Sequence, residues 1–326
     1  MSTMNSGALT PNVLEVENLQ IVARIAGHDY IAIDNISFSV AQGHARGLVG
    51  ESGSGKSLTL RAIMGLLPSN VRVTSGVIKF QGQDLLADNG KYRKQVLGTG
   101  LSMVFQEPSV ALNSVMKIGK QITDSLMQHS DLNRKQARER AIDLMDQVGI
   151  RDASKRVDDF PFQLSGGMKQ RVMIAAAIAC GPELILCDEP TTALDVTIQA
   201  QIIELFKKLR SELKVSLLYV THDIGVVAEL CDAISVMYSG RIVEQADDIN
   251  KVFSNPRHPY TKALLGAIPR IDGPIKRLKG LDSTGPSLTQ RSQESAPPMT
   301  NIEPGWQVAP FEFADLDVIW SASSHE

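Results

Sequence analysis

Eight consecutive residues in the first fifth of the chain combine three glycines with a lysine and a serine at a fixed spacing. They are Gly50, Glu51, Ser52, Gly53, Ser54, Gly55, Lys56 and Ser57. The pattern Gly-x-x-x-x-Gly-Lys-Ser predicts a phosphate-binding loop, because the glycines let successive N–H groups face one anion and the following helix adds its positive end. Lys56 is the candidate contact to β- and γ-phosphates, and the Ser57 hydroxyl is a candidate Mg²⁺ ligand. The alternative is a Gly/Ser-rich turn before a helix.

Two adjacent acids, Asp188 and Glu189, follow the apolar run at residues 184–187. A buried strand does not expose carboxylates midway, so we expect both at its C-terminal end, the edge at which open α/β sheets bind ligands. Asp188 is a candidate Mg²⁺ ligand, directly or through water. Glu189 points to the other side and is a candidate to polarise an attacking water. An N-capping acid pair for the next helix is the alternative.

The pattern around these residues predicts an α/β protein with a buried parallel sheet, since continuous apolar strands alternate with helices. The predicted strands are 13–25, 30–40, 77–80, 101–105, 184–187, 215–220 and 233–238, and the predicted helices are 58–67, 116–128, 133–148, 166–180, 197–209 and 224–230. A mostly helical block from about residue 81 interrupts the alternation and is a candidate subdomain.

Composition narrows the class of protein. The 326 residues are 43% apolar with a formal net charge of −3, which argues against disorder and against nucleic acid as a bulk electrostatic partner. Three cysteines without paired spacing fit a reducing compartment better than a disulfide framework. The longest apolar run, residues 172–180, is far shorter than the roughly 20 residues of a membrane-spanning helix.

Five motifs in one order resemble those of ABC ATPases, over residues 13–245. The first is residues 50–57, the phosphate loop. Gln106, after an apolar strand, resembles the Q-loop, and Leu164-Ser165-Gly166-Gly167 resembles the signature. Glu189 with Ala193-Leu194-Asp195 resembles the D-loop, and Val220-Thr221-His222-Asp223 resembles the H-loop. Alone, Ser165–Gly167 would be a plain helix cap and His222 an ordinary strand-end histidine. Their ordered set carries the resemblance.

The resemblance implies a P-loop NTPase fold of the ABC type. Its expected parts are a RecA-like core with a β-rich N-terminal subdomain, a helical signature subdomain and a short C-terminal extension. The corresponding ranges are a polar arm at 1–12, an ATPase domain at 13–250 with its helical subdomain at roughly 81–180, a C-terminal motif at 251–272 and a flexible tail at 273–326.

The resemblance also implies the roles of individual residues. ATP would bind between residues 50–57 of one subunit and Ser165, Gly166 and Gly167 of a partner subunit, with Asp195 nearby. Ser57, Gln106 and Asp188 would organise Mg²⁺. The residues expected to take part in catalysis are Lys56, Gln106, Glu189 and His222. Family members usually stack adenine on an aromatic residue where Ala23 stands here; Tyr30 is the nearest aromatic.

Residues 255–265, which include His258-Pro259-Tyr260, are similar to the C-terminal motif of dipeptide and oligopeptide importer ATPases. Locally we expect only a short packing helix there. The similarity implies transmembrane permease subunits, a second related ABC ATPase (a heteromer favoured over a homodimer) and a solute-binding protein as partners, with no nucleic acid. It places the chain peripherally on the cytoplasmic face of the plasma membrane.

Other functions stay open on the sequence. Importers of nickel, glutathione or oligosaccharides use ATPases of the same type. A soluble ABC ATPase acting on DNA or ribosomes is a competing class, although such proteins often carry two cassettes or a long coiled coil. A P-loop kinase or GTPase would leave Ser165–Gly167 and His222 unexplained.

Overall fold

The computed structural model describes residues 10–192, 194–266 and 298–310. Within these ranges the chain forms twelve strands and eleven α-helices. The strands are β1 (Asn12–Ile25), β2 (His28–Ala41), β3 (Ala45–Val49), β4 (Val71–Phe80), β5 (Gln83–Asp84), β6 (Leu101–Val104), β7 (Leu184–Asp188), β8 (Ser216–Thr221), β9 (Ala233–Tyr238), β10 (Arg241–Ala246), β11 (Thr300–Glu303) and β12 (Trp306–Val308). The helices are α1 (Lys56–Met64), α2 (Lys91–Val96), α3 (Pro108–Ala111), α4 (Ile118–His129), α5 (Arg134–Gln147), α6 (Ala153–Arg156), α7 (Gly166–Ile178), α8 (Val196–Leu213), α9 (Ile224–Leu230), α10 (Ile249–Ser254) and α11 (Pro259–Gly266).

The described strands form two sheets. The larger has the order β11-β12-β10-β9-β3-β8-β7-β6, and its five strands from β9 to β6 are parallel. The smaller is antiparallel, with the order β2-β1-β4-β5. The predicted α/β class with a buried parallel sheet is confirmed.

Two apolar cores on opposite faces of the larger sheet explain the continuous apolar run of its strand β7. Along β7, Ile185 and Cys187 belong to the core that contains helices α4, α5, α7 and α8. Leu184 and Leu186 belong to the core formed with the antiparallel sheet and α1. Because both faces are covered, the strand appears in the sequence as an uninterrupted apolar run.

The parallel register brings the chemistry-bearing residues to one edge. Val49 pairs with Thr221 and Asp188 pairs with Val220, so β3, β7 and β8 end at the same level. The phosphate loop follows β3, the acid pair closes β7, and His222 follows β8. This is the carboxyl edge at which α/β proteins bind their ligands.

The predicted tail at 273–326 is wrong for the part that the structure describes. Residues 300–308 form the β11–β12 hairpin, which pairs with β10 through Glu244↔Val308 and Ala246↔Trp306. The side chain of Trp306 is buried. The prediction missed the hairpin because β11 is exposed and polar and therefore carries little apolar pattern. The other aromatic residues near the end of the predicted tail, Phe311, Phe313 and Trp320, lie outside the described residues. Residues 1–9 of the predicted arm do so too.

The helical subdomain begins later than the predicted boundary near residue 81. β6 is part of the larger sheet, where it pairs with β7, so the mainly helical block runs from α3 to α7. β4 is also longer than the predicted strand at 77–80. Its first half contains exposed polar residues between partly buried valines and so lacks a continuous apolar run. None of the described helices has the length and apolarity needed to span a membrane.

Candidate nucleotide-binding site

The phosphate loop owes its shape to three glycines with positive φ angles, two of which, Gly50 and Gly55, leave no room for a side chain. Gly50, Gly53 and Gly55 have φ angles of +157°, +80° and +108°. A Cβ atom on Gly50 would lie 2.1 Å from the carbonyl oxygen of Met237, and one on Gly55 would lie 2.2 Å from Cδ1 of Ile33. The loop is therefore packed tightly against β9 and β2, and Gly55 begins α1 as its N-cap.

Lys56 lies inside the cradle that the loop forms. Its ammonium group donates hydrogen bonds to the carbonyl oxygens of Gly50 and Glu51, both at 2.9 Å, and lies 3.7 Å from Oε1 of Glu189. Burial lowers the pKa of Lys56, and the carboxylates of Glu189 and Asp188 oppose that shift. Burial likewise raises the pKa of Glu51, which Lys56 opposes. The lysine is thus a buried cation at the centre of a loop whose composition suits phosphate.

Ser57 and Asp188 place two oxygen ligands side by side. The Ser57 hydroxyl donates to Oδ1 of Asp188 at 2.6 Å. Burial raises the pKa of Asp188, and the Ser57 hydrogen bond opposes that shift. The described residues contain no cluster of three or more His, Cys, Asp or Glu side chains that could hold a metal. Two protein oxygens suit Mg²⁺, which usually takes one or two carboxylates and completes its shell with water and substrate phosphates.

Glu189 is held by neighbours on three sides. Its Oε2 accepts a hydrogen bond from the Thr192 hydroxyl at 2.9 Å and lies 3.0 Å from Nδ1 of His222, while Lys56 lies near Oε1. Its backbone N–H donates to the carbonyl oxygen of Val220 at 2.9 Å, which ties the end of β7 to β8. His222 is about half exposed, with 51% of its side chain accessible. A fixed carboxylate beside an accessible imidazole can orient water and accept its proton.

The signature residues form the predicted helix N-terminus. Ser165 is the N-cap of α7, and its hydroxyl accepts a hydrogen bond from the Met168 N–H at 3.3 Å. Ser165 and Gly166 are exposed. A Cβ atom on Gly167 would lie 2.8 Å from Cγ2 of Ile198, so glycine permits close packing of α7 on α8. Within the described residues, Ser165–Gly167 share no hydrogen bond or ion pair with the phosphate loop.

Two further predicted residues also stay apart from the central group. Gln106 is exposed two residues beyond β6 and makes no hydrogen bond to Ser57 or Asp188 in the described part of the chain. Asp195 is the N-cap of α8, where Oδ1 accepts from the Ile198 N–H at 2.9 Å. The structure therefore brings together Lys56, Ser57, Asp188, Glu189 and His222, and leaves Gln106, Ser165, Gly166, Gly167 and Asp195 outside that group.

The sequence interpretation missed two residues at the site, Thr192 beside Glu189 and Tyr260 beside the phosphate loop. The Glu51 N–H donates a hydrogen bond to the hydroxyl of Tyr260 at 3.1 Å, so the segment at 255–265 does more than pack locally. It does form the expected short helix, α11. No local pattern could have revealed the contact between Glu51 and Tyr260, since they are 209 positions apart.

The position at which family members usually stack adenine and the nearest aromatic residue lie opposite one another. Ala23 of β1 pairs with Tyr30 of β2 in the antiparallel sheet. Ala23 is buried, whereas Tyr30 is partly accessible.

Two models of known protein families match this chain. A family model described as ABC transporter matches residues 33–192. A second model, described as oligopeptide/dipeptide transporter, C-terminal region, matches residues 243–295. The two matches together cover the phosphate loop, the signature, the acid pair and the segment that contains Tyr260.

Individual proteins are similar over most of the chain. The dipeptide transport ATP-binding protein DppD of Escherichia coli (strain K12) is 47% identical over 279 residues, which are 86% of this chain and 85% of that protein. The oligopeptide transport ATP-binding protein AppD of Bacillus subtilis (strain 168) is 42% identical over 310 residues, 95% and 91% of the two chains. A dimeric, post-hydrolysis structure of the ATP-binding cassette MJ0796 bound to ADP and Pi matches with a TM-score of 0.64 at 26% identity, covering 71% of this chain and 97% of that one.

Proposed function

This chain belongs to the ABC transporter family of ATP-binding subunits, and we propose that it hydrolyses ATP to drive the uptake of peptides or related solutes through separate membrane subunits. The proposed ATP hydrolysis rests on one observation: Lys56, Glu189 and His222 meet at the carboxyl edge of the parallel sheet. The match of residues 243–295 to the oligopeptide/dipeptide C-terminal region supports the solute class.

The site binds ATP through the loop amides, the N-terminus of α1 and Lys56, which together neutralise phosphate charge. Ser57 and Asp188 would hold Mg²⁺, with Gln106 from the same sheet edge as a third ligand, and the ion would supply positive charge against the phosphate oxygens. Glu189 takes a proton from water as the water oxygen bonds to the γ-phosphorus and the bond to the β-phosphate oxygen breaks. His222 contacts the γ-phosphate and steadies the Glu189 carboxylate. The products are ADP and phosphate.

A second subunit completes this site. Ser165, Gly166 and Gly167 cover the γ-phosphate bound by a partner's phosphate loop, and Asp195 lies at the same junction. Their exposure at the start of α7 and their separation from the chain's own phosphate loop support this arrangement. We favour a related but different ATPase as the partner.

The surface after β6 is the proposed docking site for a membrane subunit, at residues 106–128. Val110 and Val115 are 78% and 83% exposed there, and Phe162, which stacks on Phe160, is 72% exposed. Large apolar side chains that are exposed to this degree are candidates for a protein interface. Docking here would hold the chain peripherally on the cytoplasmic face of the membrane, opposite a solute-binding protein.

A reconstituted transporter tests the proposal. The chain is co-purified with the membrane subunits and the second ATPase that associate with it, and ATP hydrolysis is measured with the solute-binding protein loaded with different solutes. We expect di- or oligopeptides to stimulate hydrolysis. Stimulation by nickel, glutathione or an oligosaccharide alone would replace the peptide assignment. Failure to associate with any membrane protein would favour a soluble ABC ATPase.

A further inference from the structure

The segment His258-Pro259-Tyr260 reaches the phosphate loop directly. Tyr260 is buried, and its hydroxyl accepts the hydrogen bond from the Glu51 N–H at 3.1 Å. Glu51 is the second residue of the loop, next to Gly50, whose backbone lies in the positive-φ region. The bond is partly buried, so losing it would leave the Glu51 amide without this partner, and the contact stabilises one conformation at the start of the loop.

A second contact holds the loop near its middle. The Ser54 carbonyl oxygen accepts from the Gly240 N–H at 2.9 Å, and the Gly240 carbonyl in turn accepts from the Asp34 N–H at 2.9 Å. Gly240 lies in the turn between β9 and β10, and Tyr260 follows β10. The part of the chain beyond the catalytic motifs therefore holds the phosphate loop at two points.

Glu244 fixes the position of Tyr260. Its buried carboxylate accepts hydrogen bonds from the backbone N–H groups of Arg257 and His258, each at 2.9 Å, and from the indole N–H of Trp306 at 3.1 Å. His258 Nδ1 then accepts from the Tyr260 N–H at 3.1 Å. A continuous series of hydrogen bonds thus runs from the β11–β12 hairpin to the phosphate loop.

Side-chain packing supports the same arrangement. The ring of Tyr238 packs on that of Tyr260, with centroids 4.5 Å apart. The guanidinium of Arg257 lies over the Trp306 ring at 5.2 Å. These contacts restrict both ends of the hydrogen-bonded series, so the Tyr260 hydroxyl has little freedom to leave the Glu51 amide.

We propose that Tyr260 is a positioning residue for nucleotide binding, which holds the phosphate loop in its binding conformation and is itself held by Glu244 and the hairpin. This role rests on the ATP site proposed above. Without the hydroxyl, the loop would populate additional conformations, and the measured affinity would fall with the fraction that can bind.

The test compares Tyr260→Phe with Tyr92→Phe in the full chain. Tyr92 lies on α2 and packs against the core that contains α1. It controls for the loss of a tyrosyl hydroxyl elsewhere. The dissociation constant of a fluorescent ATP analogue is measured beside amide hydrogen exchange of the peptide that contains Glu51. We expect up to about tenfold weaker binding for Tyr260→Phe, the size of effect that follows from loss of one hydrogen bond at a partly buried amide. Exchange at residues 48–57 should be faster, exchange in α5 unchanged, and Tyr92→Phe should match the wild type.

Wild-type affinity in a folded Tyr260→Phe variant would overturn the inference. If the wild-type chain itself binds no nucleotide, the proposed ATP site fails instead; Lys56→Ala serves as the reference for a lost site. If Tyr260→Phe does not fold, Trp306→Phe is measured instead. It removes the indole hydrogen bond to Glu244 at the far end of the series and keeps Tyr260. Weaker binding with faster exchange at residues 48–57 supports the role, and wild-type values for both overturn it.

Discussion

Glu189 occupies a strained backbone conformation at the point where its carboxylate meets Lys56 and His222. Its φ angle is +43°, a region that residues other than glycine seldom adopt. Such a conformation costs about 1 kcal/mol or more and persists where surrounding contacts enforce it. Here Thr192 and the Val220 carbonyl supply those contacts. The backbone sets where the side chain lies, and the carboxylate itself sets the chemistry.

Replacing Glu189 by glutamine should separate binding from hydrolysis. Glutamine keeps the size and one carbonyl oxygen but does not accept a proton from water, so we expect ATP to bind while turnover falls by roughly a hundredfold or more. Phosphate release by the assembled transporter measures this loss. Glu229→Gln, on the exposed face of α9, is the matched control. Near-normal turnover in Glu189→Gln would remove this residue from the role of base.

Lys56→Ala should weaken nucleotide binding itself. The change removes the buried ammonium group that faces the phosphates, where reduced dielectric strengthens its attraction. Affinity for the ATP analogue, measured by titration of the isolated chain, should fall by an order of magnitude or more. Lys207→Ala removes an equal charge from the surface ion pairs with Glu204 and Glu229 and should leave affinity unchanged. Equal affinity for Lys56→Ala and the wild type would contradict the phosphate-loop assignment.

At the scale of elements, the β11–β12 hairpin extends the larger sheet beyond its parallel part. Trp306 and Val308 of β12 are buried. β12 also pairs with the edge of β10, which would otherwise be open. Removing residues 280–326 would therefore expose this edge and take one hydrogen-bond donor from Glu244.

Trp306→Ala should lower the free energy of unfolding by about 3 kcal/mol, the usual cost of deleting a large buried aromatic side chain. Chemical denaturation followed by circular dichroism measures it. Phe162→Ala, at an exposed aromatic, should change stability by no more than about 0.5 kcal/mol. An equally small effect for Trp306→Ala would mean that the hairpin contributes little to the fold.

At the scale of the whole molecule, the chain carries both halves of a composite site without joining them. The phosphate loop and Ser165–Gly167 share no hydrogen bond within the described residues. The purified chain alone should accordingly be a poor ATPase, because each active site needs the signature of another subunit.

A mixing experiment distinguishes the two pairings. Ser165→Arg obstructs a partner's site but keeps its own phosphate loop, whereas Lys56→Ala keeps its signature but binds nucleotide poorly. We expect the mixture to stay inactive and turnover to require a second, related ATPase. Recovery of activity on mixing would identify a homodimer, since one competent site then forms. Full activity of a monomer would contradict both pairings.

Features of this protein that depend on short stretches of chain were predictable from the sequence alone. The glycine spacing at 50–57, the apolar run before Asp188 and the small residues at Ser165–Gly167 each predict a conformation within a few residues, and the order of the motifs indicates the family. The parallel strands were predictable for the same reason, because burial on both faces leaves an uninterrupted apolar run.

Contacts between residues far apart in the chain became visible only in the folded protein. Ser57 and Asp188 are 131 positions apart, Glu189 and His222 are 33 apart, and Glu51 and Tyr260 are 209 apart. Their contacts depend on strand order and register, which a single sequence does not encode in any local pattern. The hairpin escaped prediction for a related reason: Trp306 and Val308 are buried by pairing with β10, and that partner lies some 60 residues earlier in the chain.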